Sequence, residues 1–121
     1  MGLDTFASRS PDDIELTDED LKAFEDAELS LCGGIFSGDG GDGSFRGKVY
    51  ANSILEITDM SLYQEWIPPE TVCEMHRALA TYESSMIKDD LGIDVSDVEI
   101  SNLCKFFWVC CERGLGLINW W

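Results

Sequence analysis

The chain has 121 residues, 24 of them acidic against 8 basic, giving a formal net charge of −16 on a sequence that is 45% apolar. So negative a surface repels nucleic-acid phosphates, which excludes direct binding along a DNA or RNA backbone. The apolar fraction excludes the disordered class, which joins high charge to few core-forming residues, and no run approaches the roughly 18–20 apolar residues of a membrane span.

The length fits a single domain, 1–121, with a core of its own. Residues 1–14 are polar, carry Pro11, and are expected to form an extended arm. Met1 to Ser10 offers no basic region followed by an apolar run, so no secretory leader is expected, and Phe6 stands where a myristoylation motif needs Ser or Thr. The expected location is cytoplasmic. The odd count and irregular spacing of Cys32, Cys73, Cys104, Cys110 and Cys111 then read as reduced thiols.

Thr17 followed by Asp18, Glu19 and Asp20 predicts a helix over 17–29, with Thr17 as its cap and three carboxylates where the helix dipole favours them. Leu31 to Phe36 reads as a short apolar strand or turn, and residues 37–44 as a flexible Gly/Asp loop. That loop lacks the Gly-Lys-Ser/Thr of a phosphate cradle. Asp39 and Asp42 alone do not make a calcium loop.

Residues 45–58 predict a β-hairpin turning at Ala51-Asn52-Ser53. Val49, Leu55 and Ile57 would face the core, with Lys48 paired to Glu56 across the strands. Pro69 opens a helix predicted over 69–87, with Val72, Met75, Leu79, Tyr82 and Met86 along its apolar stripe. Ser96-Asp97-Val98-Glu99 is a capping box for a last helix that stops at Gly114. Leu103, Phe106, Phe107 and Cys110 form one apolar stripe and Cys104, Trp108 and Cys111 another, so this helix is expected at the centre of the core. Leu115 to Trp121 is too apolar to dangle and predicts a final strand. Together these elements define an α+β fold: a small, mainly antiparallel sheet with about three helices.

Cys73-x-x-His76 puts two metal-ligating groups on one helix face, and cysteines of the last helix would have to complete a zinc site. With one such pair and no second to match it, a structural role is favoured, and neither metal nor cofactor is expected. Cys110 and Cys111 lie near a helix C-terminus, where the dipole disfavours a thiolate nucleophile. Cations and aromatics gather at Arg46, Lys48 and Tyr50, and aromatics again at Tyr63 and Trp66. These five are the candidate ligand-binding residues.

The stretches Met1-Gly2-Leu3-Asp4, Ser44 to Tyr50 and Ser61 to Pro69 resemble small uncharacterised bacterial and phage proteins. The resemblance implies no reaction and transfers no site residue. The expected function is a non-enzymatic protein-binding or regulatory module. Its acidic surface would suit a basic partner, solubility or a saline habitat, and the sequence leaves its oligomeric state open. The alternative is a small-molecule-binding or catalytic domain built on Arg46, Lys48, Tyr50, Tyr63 and Trp66.

Overall fold

Four short strands form one antiparallel sheet: β1 (Asp4–Ser8), β2 (Ser44–Phe45), β3 (Trp66–Ile67) and β4 (Gly116–Trp120), in the order β2-β1-β4-β3. The computed structural model describes residues 3–12, 16–29, 31, 43–83 and 97–121. Among the described residues there are four helices, α1 (Asp18–Asp26), α2 (Gly47–Thr58), α3 (Pro69–Glu83) and α4 (Asp97–Arg113). The α+β class is as expected, with four helices among the described residues where the sequence predicts about three. The fourth is the segment read as a hairpin.

That segment, α2, buries Gly47, Tyr50, Ala51, Ile54 and Thr58, a helical spacing of three and four. Val49 and Leu55, assigned to the core by the hairpin register, are exposed. Lys48 and Glu56 are two turns apart, about 12 Å along the axis, and form no cross-strand pair. The β-branched and aromatic residues imitated a strand, and Asn52-Ser53 imitated its turn. Tertiary contacts favour the helix. The Lys48 N–H donates to the Leu3 carbonyl at 3.0 Å, which satisfies one of the unpaired donors of its first turn. At the other end Asp59 takes the left-handed conformation (φ 61°), and the Thr58 hydroxyl donates to the Ile54 carbonyl at 2.6 Å.

The polar arm is also corrected. Its residues 4–8 are β1, a central strand in which Thr5, Ala7 and Ser8 are fully buried, as is the preceding Leu3. The polarity is satisfied from within: the Thr5 hydroxyl donates to Asn119 Oδ1 at 2.7 Å, and the Ser8 hydroxyl to the Ser10 carbonyl at 2.9 Å.

Other expectations hold. Thr17 caps α1, accepting from the Asp20 N–H at 3.2 Å, while Asp20 Oδ2 accepts from the Thr17 N–H at 2.9 Å. α4 is followed by Gly114 at φ 69°, and the tail is β4. Residues 32–42, with Asp39 and Asp42, the Ser96 cap and the end of the predicted second helix, 84–87, lie outside the described residues.

Among the described residues α4 contributes the most apolar side chains to the core, including Ile100, Leu103, Phe106, Phe107 and Cys110. Phe106 contacts both Phe24 of α1 and Phe45 of β2 with ring centroids 4.9 Å apart. The second predicted stripe is only partly buried, since Trp108 is 50% exposed. The reduced-thiol reading is overturned: Cys73 of α3 and Cys111 of α4 form a disulfide across a separation of 38 residues, while Cys104 and Cys110 are buried and take part in no disulfide.

Candidate functional site

Sheet order separates the five predicted ligand residues. Arg46 follows β2 at one edge and Trp66 lies in β3 at the other, with β1 and β4 between them, a span of about 14 Å at normal strand spacing. Tyr50 is fully buried with its ring 5.7 Å from Phe45, so it faces no ligand. Lys48 is exposed on α2. The composite surface of Arg46, Lys48, Tyr50, Tyr63 and Trp66 does not assemble. Tyr63 and Trp66 each adjoin the last part of the chain instead, Tyr63 at Trp121 and Trp66 at Ile118, companions outside the predicted set.

Strand register builds those companions. Phe6 and Trp66 both pair with Ile118, from its two sides, and therefore share one face of the sheet. Thr5, Ala7, Leu117 and Asn119 point to the other face, and Leu117 and Ala7 join the main core. Phe6 and Ile118 are buried but belong to a separate outer cluster. Trp120, on the same outer face, packs at a tilt against Phe6 with centroids 4.8 Å apart. Gly116 makes room for Trp66: a Cβ there would fall 2.6 and 2.8 Å from two indole carbons and would collide with the Ile67 carbonyl.

Beyond this cluster the rings are open to solvent. Trp120 is 53% exposed, Trp121 50% and Tyr63 49%, and Tyr63 meets Trp121 edge-on at 5.6 Å. Beside them lies a cleft of about 490 Å³ lined by Pro11, Glu65, Ile118, Asn119, Trp120 and Trp121. Asn119 organises one wall. Its Nδ2 donates to the Gln64 carbonyl at 3.0 Å and its backbone N–H to the Glu65 carbonyl at 3.3 Å, while Thr5 occupies its Oδ1. Its side-chain polar atoms are thereby engaged within the fold, and they fix the segment that carries Glu65. The final strand that carries Trp120 was legible in the sequence; the register that joins it to Trp66 was not.

A second polar centre is structural. Asp20 is fully buried and receives both Arg9, through two guanidinium nitrogens, and Arg113. Arg9 above all, with the Thr17 N–H and Arg113, holds the Asp20 carboxyl well below the usual carboxylate range against the opposing effect of burial.

The weak metal candidates separate in chemistry. Cys73 is bonded to Cys111, so it supplies no thiolate, and His76 lines a shallow groove with Ser101, Cys104, Lys105 and Trp108. Among the described residues no three metal-ligating side chains gather. Burial, reinforced by the charge of Asp20, pushes the Cys110 thiol far up, away from nucleophilic character. No described helix is long and apolar enough to cross a membrane. The chain matches no protein-family model, curated protein or solved structure.

Proposed function

We propose that this acidic chain is a non-enzymatic binding module that takes a basic segment of a protein partner on the outer face of its sheet. The observation that carries this reading is the set of three half-exposed rings, Tyr63, Trp120 and Trp121, gathered beside a carboxylate-bearing cleft. Exposed Trp and Tyr in a contiguous patch supply the large, ordered contact area typical of interface anchors. A net charge of −16 favours a basic partner through complementarity and steering. The separation of Arg46 and Lys48 from Tyr63 and Trp66 counts against the small-molecule alternative.

Selection from a random peptide library on the wild-type protein, with counter-selection on a Trp120→Ala/Trp121→Ala variant, tests the reading. Basic peptides are expected, lost on the variant and weakened by salt. Peptides that bind both proteins equally, or an enrichment of acidic ones, overturn it. The cytoplasmic setting expected from the sequence and the Cys73–Cys111 bond pull in opposite directions, since structural disulfides persist in oxidising compartments. Thiol counting after alkylation of the native protein decides between them.

A further inference from the structure

We infer that the cleft between Glu65 and the Trp120–Trp121 pair receives one arginine side chain of the partner, an inference that rests on the binding role proposed for this face. Its described lining joins two half-exposed indoles to the exposed acidic residue Glu65, and none of its six described residues is basic. The face of an indole attracts a cation lying within about 6 Å of its ring centre. Glu65, exposed and part of the same lining, would supply the counter-charge.

The shape of the cation follows from that pairing. A guanidinium is flat, so it stacks on an indole while its edge donates two parallel hydrogen bonds to a carboxylate. An ammonium is a compact point charge and satisfies one of these demands at a time. A neutral apolar side chain would desolvate Glu65 without replacing its hydrogen bonds. An anion would meet both Glu65 and the net charge of the chain. A volume of about 490 Å³ leaves room for the side chain and its flanking backbone.

The site is also held in advance. Asn119 bonds the Gln64 and Glu65 carbonyls and is itself held by Thr5, so the segment bearing Glu65 is anchored to the centre of the sheet. Tyr63 meets Trp121 edge-on and Phe6 backs Trp120, which limits the rotation of both indoles. Asn119 is thus a positioning residue, and Glu65, Trp120 and Trp121 are the groups that would touch the cation.

The test uses a short Gly/Ser peptide with one central arginine, and twins carrying citrulline or lysine there. Binding is followed by the indole N–H resonances of the protein. The arginine peptide should shift Trp120 and Trp121 and leave Trp108 in place. The citrulline twin should bind about tenfold more weakly, the lysine twin between the two, and Glu65→Gln should cost the arginine peptide about tenfold. Glu65 is exposed, so that variant should keep the wild-type thermal midpoint. Equal binding of the citrulline twin, indifference to Glu65→Gln, or shifts at Trp108 overturn the inference. If library-selected peptides still require Trp120 and Trp121, the inference alone has failed; if they do not, the binding role has failed with it.

Discussion

The corner around Asp20 and the outer face of the sheet use the same chemistry to opposite ends. At Asp20 a carboxylate is buried and meets two arginines of the same chain, one from beyond β1 and one from the end of α4. At the outer face Glu65 and two indoles line an open cleft whose described lining residues include no cation. Four of the eight basic residues are arginines, and two of these are committed to Asp20. Two of the eight cations thus close the chain's own fold at Asp20, while none of the described residues lining the aromatic cleft is a cation.

The difference should be largest in stability. Asp20→Asn removes the charge that two partly buried guanidiniums face and is expected to cost about 3 kcal/mol in urea unfolding. The pH dependence has a defined sign. The Asp20 carboxyl is held down in the folded protein, so its contribution is complete above the ordinary carboxylate pKa of about 4 and fades as pH falls through the folded value. The stability gap between wild type and Asp20→Asn should therefore narrow below about pH 4. A gap that stays constant down to pH 2 would mean that the pair is not what holds this corner.

Gly116→Ala probes the border between the interior and the outer face. Its methyl group collides with the Ile67 carbonyl and the Trp66 indole, so β3 must move away from β4. A loss of about 2 kcal/mol is expected, with shifts of the Trp66 indole resonance larger than those of Trp108. Unchanged stability would place Trp66 off the Gly116 face and dissolve the outer cluster.

These two sites also mark what the sequence could and could not reveal. Local signals were legible: Thr17 three residues before Asp20, Pro69 opening α3, Gly114 closing α4, and the apolar tail that becomes β4. Each depends on neighbours within one turn or on a strand's own composition. The errors lie where distant partners decide. Gly47 to Thr58 has strand-like side chains, yet the Leu3 carbonyl and the pattern of burial make it a helix. Asp4 to Ser8 looks like a polar arm until Asn119 satisfies Thr5 and β4 covers one edge. Nothing in the cysteine spacing joins Cys73 to Cys111, 38 residues away. The candidate site divides in the same way: Tyr63 and Trp66 stood out locally, whereas only the pairing of both Phe6 and Trp66 with Ile118 adds Trp120 to their face.

The smallest stability effect is expected where the binding effect is greatest. Trp121 is half exposed and its described ring contact is with Tyr63, itself half exposed, so Trp121→Ala removes little area from the folded interior. An edge-on aromatic pair of this kind contributes about 0.5–1.5 kcal/mol, and exposure puts this one near the lower end. Unfolding should therefore shift by less than about 1 kcal/mol, while binding of the arginine peptide falls about tenfold. Asp20→Asn should do the reverse, leaving peptide affinity unchanged under conditions where the variant remains folded. A Trp121→Ala protein that unfolds as readily as Asp20→Asn would make the outer rings part of the core, and the contrast between a closed corner and an open face would collapse.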